Sequence, residues 1–362
     1  MRPTSLSWTD FPKVVLHDHL DGGLRPNTLG DLLTQSNAPI PWGDEDPAAW
    51  FSARASASQS LPEYLKVFAY TLQCMQTEEN LERVAYEAVE DLALDHVRYA
   101  ELRFAPLLCT QKGLAPTAVM NAVQAGMHRA MAKYPDMKAR LLVCAMREKD
   151  PADSVRTTQL ALWAAKQPRS LVVGLDLAGP ESGYLPTRHK AAFDMAHAEG
   201  LPVTVHAGES AGLDSLQSAL HDARASRIGH GIRIMDGVTP AHNGDLLWEV
   251  VEKNVVLEVC PTSNIQTASS PSWGDHPLAA MLRMGLPVSI HTDNRLLSGT
   301  TTSQEWQRAQ EHFGLSTADM LTCQQHAISG IFANEDMKKW LRAETASWVH
   351  AQAPVSAPTP QY

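Results

Sequence analysis

The stretch Val14–Arg25, VVLHDHLDGGLR, decides how the rest of the chain is interpreted. Its apolar start predicts a short buried strand, which ends in two histidines spaced i, i+2 and then turns through two glycines. Because alternate residues of a strand point the same way, we expect His17 and His19 to project together, with Asp18 on the opposite face. Two neutral imidazoles held side by side supply half of a zinc site. The motif alone is equally compatible with two partly buried histidines, so the remaining ligands must be sought elsewhere in the chain.

Further short apolar runs follow this strand, and each predicts another strand. They are 98–104 (RYAELRF), 141–147 (LLVCAMR), 171–178 (LVVGLDLA), 201–206 (LPVTVH), 227–230 (RIGH), 255–260 (VVLEVC) and 286–292 (LPVSIHT). Helical patterns separate several of them, at 116–134, 154–165, 188–197 and 214–223. Eight strands alternating with helices predict an α/β fold, a (β/α)8 TIM barrel.

The long segment between the first and second strands predicts extra helices inserted after strand 1. Apolar residues recur at helical spacing in 28–35, 61–75 and 78–94, whereas 36–59 is expected to be an irregular connection. We therefore predict a single (β/α)8 domain over residues 1–350. The Ala- and Pro-rich segment 351–362 is expected to be a disordered tail.

Composition excludes several classes of function. The chain of 362 residues is 44% hydrophobic and has a formal net charge of -10, which argues against a nucleic-acid partner. No run approaches the roughly 20 apolar residues of a membrane helix, and the N-terminus lacks the apolar core of a signal peptide, so a cytoplasmic location and no membrane partner are expected. The five cysteines are scattered without a CxxC pair, which favours reduced core thiols and excludes a cysteine-ligated zinc site.

Ligand-type side chains stand at the predicted carboxyl ends of several strands, where barrel active sites form. His17 and His19 end strand one, His206 ends strand five, and Asp293 follows strand eight. Three histidines and a carboxylate leave a position for water, as in catalytic zinc sites, where the pKa of that water falls from about 15.7 towards about 7. We expect one metal ion rather than two, because strand four carries no lysine that could bridge a pair.

Two further polar residues lie at the same predicted rim. Glu209 follows His206 by three residues and becomes a general acid if burial raises its pKa; the alternative is an ordinary glutamate in the first turn of a helix. His230, between two glycines, is a candidate base that orients the metal-bound water, or else a hydrogen-bonded core histidine. His291 is expected to fill the barrel interior or to support a ligand, and Asp18 to bond outside the barrel.

Eight segments taken together resemble the adenosine deaminase family of the amidohydrolase superfamily. They are, in chain order, LHDHLDGGLRP, SLPEYLKVF, YAELRFAP, DLAGPE, HAGE, RIGHG, LEVCPTSN and HTDN. The resemblance as a whole extends from about Phe11 to about Trp340. HAGE, RIGHG and LEVCPTSN are specific to the deaminases of adenosine, adenine and AMP, whereas HxH alone is not.

The resemblance implies a role for each matching position. His17, His19, His206 and Asp293 match the family's zinc ligands. Glu209 matches the acid that protonates purine N1, His230 the histidine that orients water, Gly179 the backbone donor to purine N3, and Asp21 the aspartate that bonds the ribose 5′-hydroxyl. Leu61, Tyr64, Leu65 and Phe68 match the helix at the pocket mouth, with His19 also beside the substrate. The i, i+3, i+4, i+7 spacing of the four residues from Leu61 to Phe68 is equally that of a helix that faces the core.

Two positions depart from the family pattern. Asn294 stands where a second aspartate is common; purine N7 is an acceptor, and an asparagine amide donates to it without first being protonated. Pro180 replaces an aspartate in DLAGPE and has no backbone N–H to donate.

We therefore expect one zinc ion per subunit and the hydrolytic deamination of adenosine and 2′-deoxyadenosine, with release of ammonia. The alternatives are a deaminase of adenine or of a modified adenosine metabolite, and a catalytically dead purine-binding relative. AMP is a less favoured substrate, since its phosphate would meet Asp21. The sequence gives no oligomeric state.

Overall fold

Eight parallel strands form the centre of the chain in the computed structural model, which describes residues 7–239 and 244–352. They are β1 (Lys13–His19), β2 (Val97–Phe104), β3 (Lys138–Met146), β4 (Val172–Ala178), β5 (Thr204–Ala207), β6 (Arg227–His230), β7 (Val256–Val259) and β8 (Val288–Ile290). Each coincides with a strand predicted from the sequence, with ends that differ by a few residues.

The strands close into a barrel in chain order. Neighbouring strands pair in parallel within two groups of four, in the order β1-β2-β3-β4 and β5-β6-β7-β8. The backbone N–H of Leu175 donates to the carbonyl of Pro202 at 2.9 Å, which joins β4 to the segment entering β5. At the other seam His19 N–H donates to the carbonyl of Asp293 at 2.7 Å, and Asp293 N–H donates to the carbonyl of His17 at 3.0 Å. The predicted TIM barrel is confirmed.

The α-helices of the described chain follow the strands and cover the barrel. They are α1 (Pro26–Gln35), α2 (Pro47–Ala57), α3 (Leu61–Leu65), α4 (Phe68–Cys74), α5 (Glu78–Leu94), α6 (Pro116–Lys133), α7 (Pro151–Ala165), α8 (Lys190–Ala198), α9 (Leu213–His221), α10 (Asp245–Glu252), α11 (Pro261–Gln266), α12 (Leu278–Arg283), α13 (Arg295–Ser298), α14 (Thr302–Phe313), α15 (Thr317–Gly330) and α16 (Glu335–Gln352). Five of them, α1 to α5, stand between β1 and β2, as predicted for the insertion.

Two details of the insertion differ from the sequence prediction. The segment 36–59 was expected to be irregular, but it contains α2: Asp46 accepts a hydrogen bond from Ala49 N–H at 2.8 Å as the N-cap, and Pro47 suits the first helical position. Trp50 and Phe51 bury its inner face. The predicted helix 61–75 is divided into α3 and α4.

The carboxyl-terminal end of the chain is helical further than predicted. Helix α16 continues to Gln352, so Ala351 and Gln352, the first two residues of the predicted tail, are part of it. The rest of that tail, residues 353–362, lies outside the described residues. Within the described ranges no helix is both long enough and apolar enough to span a membrane.

Candidate active site

Four of the predicted site residues converge at the carboxyl end of the barrel. The Nε2 atoms of His17 and His19 lie 3.3 and 3.4 Å from Asp293 Oδ1, and the Nε2 atoms of His19 and His206 lie 3.1 Å apart. All four residues are buried. Strand β1 supplies two histidines, β5 the third, and the turn after β8 the aspartate. The barrel therefore brings together the complete ligand set predicted from the sequence.

Two carboxylates behind the histidines orient their rings. His17 Nδ1 lies 2.9 Å from Glu258 Oε2, and His206 Nδ1 lies 3.1 Å from Asp176 Oδ2. Because a carboxylate accepts, each Nδ1 carries the hydrogen and each Nε2 presents its lone pair to the common point. The buried Arg103 guanidinium donates to Glu258 at 2.7 Å and to Asp176 at 3.1 Å, and so joins the two supports.

This donor set fits a divalent metal ion. His17 Nε2 is buried and has no hydrogen-bond partner, which is costly for a polar nitrogen unless a cation takes its lone pair. Ser263 Oγ donates to Asp293 Oδ2 at 2.6 Å and leaves Oδ1 directed at the histidines. Three imidazole nitrogens and one carboxylate oxygen are ligands that zinc accepts. His230 lies beside them: its ring and those of His17, His206 and the carboxylate of Asp293 place ligand atoms within 4.8 Å of one another.

Backbone strain accompanies two of these residues. Asp293 has φ of +60° and His230 has φ of +64°. Non-glycine residues rarely adopt this left-handed conformation, which costs about 1–3 kcal/mol and is concentrated at functional sites. At Asp293 the conformation is held by the two hydrogen bonds that close the barrel onto β1, so the closure of the barrel and the placement of this carboxylate depend on the same residues.

Glu209 lies in a loop that a second glutamate anchors. The carboxylate of Glu181 accepts four backbone N–H groups of this loop, from Gly208 at 2.6 Å, Glu209 at 3.0 Å, Ser210 at 2.6 Å and Ala211 at 2.8 Å. The carboxyl of Glu209 is buried, and burial, together with the charges of Asp293 and Glu181, raises its pKa well above the usual value. A carboxyl whose pKa is raised retains its proton to a higher pH than usual, which suits a general acid.

His230 faces Glu209 across the site, with its Nε2 3.7 Å from Glu209 Oε2. Burial lowers the pKa of His230 well below its ordinary value, and the neighbouring His17 lowers it further. The ring is therefore neutral. Its other nitrogen, Nδ1, lies 3.0 Å from the side-chain nitrogen of Asn264.

A cavity of about 350 Å³ opens beside these groups and contains the other residues predicted to bind substrate. Its lining includes all the candidate residues for the sugar, the purine and the pocket mouth, namely His19, Asp21, Leu61, Tyr64, Leu65, Phe68, Gly179 and Asn294. Gly179 has φ of +102°, and a Cβ there would lie 2.6 Å from Glu148 Oε2, so only glycine suits this wall.

Several neighbours of the site were not predicted. Glu258 and Arg103 lie within motifs that the sequence singled out, and their alternation with apolar residues along β7 and β2 was the available signal for side chains inside the barrel. Met146, Leu108 and Glu148, which also line the cavity, stand at or after the ends of strands, at positions without a recognisable pattern.

Asp18 and His291, which the sequence did not predict to be ligands, make their hydrogen bonds elsewhere, as was expected for Asp18. Asp18 accepts hydrogen bonds from Thr292 at 2.6 Å and from Arg295 of α13 at 2.9 Å, outside the ligand cluster. His291 Nδ1 accepts from Leu16 N–H at 3.2 Å, and its Nε2 lies 2.7 Å from Ser289 Oγ. It supports the seam between β1 and β8.

Known proteins resemble this chain both in sequence and in structure. The family model described as Adenosine deaminase matches residues 12–348. A protein of Mycobacteroides abscessus named Adenosine deaminase is 43% identical over 338 residues, which cover 90% of this chain and 92% of that protein. An amidohydrolase structure from Burkholderia ambifaria with bound Zn superposes with a TM-score of 0.84 at 26% identity, covering 97% of this chain and 95% of that one. The structure of an Arabidopsis N6-mAMP deaminase gives a TM-score of 0.80 at 26% identity, covering 94% and 99%.

Proposed function

Because this chain belongs to the adenosine deaminase family, a family of metal-dependent hydrolytic deaminases, we propose that it deaminates adenosine and 2′-deoxyadenosine to inosine and 2′-deoxyinosine. The observation that supports this most directly is the buried carboxyl of Glu209, which faces the same cavity as the histidine and aspartate cluster. Deamination at a purine carbon needs an acid for the ring nitrogen and a water held beside the carbon, and the cavity offers both places.

We propose one zinc ion, held by His17, His19, His206 and Asp293. When bound, a divalent cation at this point supplies Lewis acidity that lowers the pKa of a coordinated water. The chain's part is to fix the donors: Glu258 and Asp176 hold two imidazoles in one tautomer, and Ser263 turns the aspartate. Little reorganisation is then required when the ion binds.

Glu209 donates and then regains a proton in the proposed reaction. Its carboxyl gives a proton to purine N1, which makes C6 electrophilic, and the water oxygen then forms a bond to C6. The bond from C6 to the amino nitrogen breaks after that nitrogen gains a proton, and ammonia leaves. One proton of the water ends on ammonia, and the other replaces the proton that Glu209 gave to N1, so the acid is restored. Burial keeps Glu209 protonated for the first step.

The cavity favours a nucleoside over a nucleotide. Asp21 is 4% exposed, and its Oδ1 is buried without a hydrogen-bond partner, so a sugar hydroxyl that donates to it would satisfy it. Among the described lining residues Lys66 is the one lysine or arginine, and it already pairs with Glu63 at 2.6 Å. Arg25 is engaged with Glu90 and Asp91 at 2.8 and 2.6 Å. A 5′-phosphate would therefore meet an acidic wall.

The experiment measures the loss of ultraviolet absorbance with adenosine, 2′-deoxyadenosine, 5′-deoxyadenosine, adenine and AMP. We expect turnover of the first two, and kcat/KM about tenfold or more lower for 5′-deoxyadenosine, since one hydrogen bond to a charged group contributes about 1.5–3 kcal/mol. Asp21→Ala should remove that difference. Chelation should abolish turnover and added zinc should restore it.

Two variants separate the loss of the proposed acid from a general effect of replacing a glutamate by glutamine. Glu209→Gln should lower kcat by about 10²–10⁴-fold. Glu249→Gln, which lies outside the cavity on α10, should leave kcat unchanged. A preference for AMP or adenine over adenosine would contradict the proposed substrate, and full activity of Glu209→Gln would contradict the proposed acid.

A further inference from the structure

A chain of three buried hydrogen bonds behind His230 begins at a backbone amide. The N–H of Leu278, at the start of α12, lies 3.2 Å from His276 Nδ1. A backbone N–H can only donate, so His276 Nδ1 carries a lone pair and the hydrogen of the neutral ring is on Nε2. Burial lowers the pKa of His276 to about 3, which keeps the ring neutral.

This hydrogen determines the orientation of the next side chain. His276 Nε2 lies 3.2 Å from Asn264 Oδ1, and because Nε2 donates, the carboxamide must present its oxygen there. Asn264 is fully buried, so water does not compete for either end of the amide. Its NH₂ group is then directed at His230 Nδ1, 3.0 Å away.

We propose that Asn264 and His276 are positioning residues that fix His230 with Nδ1 as an acceptor and with its hydrogen on Nε2, directed into the cavity. In this form His230 donates a hydrogen bond to the attacking water oxygen instead of removing its proton. The assignment replaces the role of base expected from the sequence. Its catalytic consequence rests on the proposed deamination, whereas the protonation pattern of the ring does not.

The geometry on the cavity side agrees with a donor. His230 Nε2 faces Glu209 Oε2 at 3.7 Å, so its hydrogen points between the acid and the ligand cluster, where a water would stand. With the ring as donor, the proton released by the water passes to a carboxylate. Without the bonds from Asn264 and His276, either nitrogen of His230 could carry the hydrogen.

The test determines which ring nitrogen of His230 carries the hydrogen. It uses ¹⁵N–¹H correlation spectra of the metal-loaded protein with ¹⁵N-labelled histidine rings. Loss of a signal in His230→Phe assigns the ring. We expect the wild type to show His230 Nδ1 without hydrogen and Nε2 with hydrogen. In Asn264→Asp the carboxylate still accepts from His276 but can no longer donate, so Nδ1 of His230 should gain a hydrogen.

Activity gives a second readout. Asn264→Asp should lower kcat at least about 100-fold with KM changed less than about threefold, since a reversed imidazole tautomer in a serine protease triad lowers kcat about 10⁴-fold. Ala268→Asp is the matched control: it adds the same charge at an exposed position four residues along, and should leave both the His230 signals and kcat unchanged.

The wild-type spectrum alone can overturn the proposal, even if a variant fails to fold. A hydrogen on His230 Nδ1 in the wild type, or an unchanged ring in folded Asn264→Asp, would refute the assigned roles. Because these spectra do not depend on turnover, they remain decisive if the protein fails to deaminate adenosine, so failure of the proposed function is recognised separately.

Discussion

Replacing Glu181 with glutamine tests whether the loop that carries Glu209 is held by one carboxylate. In its best orientation the introduced amide would place its oxygen where Oε2 accepts three N–H groups, and its NH₂ against the N–H of Gly208. An unpaired buried donor costs about 1–3 kcal/mol, and each of the three remaining bonds weakens by about 1 kcal/mol when the acceptor loses its charge. The free energy of opening the loop should therefore fall by about 4–6 kcal/mol.

Hydrogen exchange of the loop amides is the assay that isolates this effect. The loop can open without unfolding of the barrel, so exchange at residues 208–211 reports its stability directly. A loss of about 4 kcal/mol or more raises the rate of exchange about 10³-fold or more, up to the limit of the unprotected amide. We also expect kcat to fall by about 10²-fold, because a displaced catalytic group loses alignment with its substrate.

Glu305→Gln is the matched control for this prediction. Glu305 is also a fully buried carboxylate that accepts a backbone N–H, from Thr262 at 3.1 Å, and it bonds Thr300 at 2.7 Å. Its replacement should lower the free energy of unfolding while protection at residues 208–211 and kcat are retained. Wild-type protection and kcat in Glu181→Gln would refute the reasoning.

Three further predictions concern the metal site, the base of the barrel and the purine. Asp176→Asn should weaken zinc binding about 10–100-fold in competition with a chromogenic chelator, because His206 loses the carboxylate that orients it; unchanged affinity would show that Asp176 has no such role. Burial lowers the pKa of Lys13 to about 8, so between about pH 8 and 10.5 the unfolded chain binds more protons and stability should rise with pH, by up to about 3 kcal/mol. Denaturation of the wild type and Lys13→Met across this range checks it, since the variant should lack the rise. Asn294→Asp should raise KM for adenosine at neutral pH, and should raise it less at acid pH, where the carboxyl can donate to N7. KM for 7-deazaadenosine, which lacks N7, should stay unchanged. An equal change for both substrates would argue against the N7 contact.

The sequence determined much of the architecture because strands and helices each leave a local pattern in it. Apolar runs of strand length, separated by helical periodicity, predict the eight strands and the barrel, and the insertion after β1 follows from the length of chain before β2. Residues that follow a strand are then placed at one rim by the fold itself. For this reason His17, His19, His206 and Asp293 were recognised as a group without knowledge of any distance.

Only the tertiary structure decided which side chains support that group. Glu258 with His17, and Asp176 with His206, are pairs from distant strands whose contact depends on the register around the barrel. The left-handed backbone of Asp293 arises because the closing seam bonds both its N–H and its carbonyl to β1. Local sequence pattern specifies strands and the ends of strands, whereas the protonation and orientation of a buried ring depend on partners that folding alone brings within hydrogen-bonding distance.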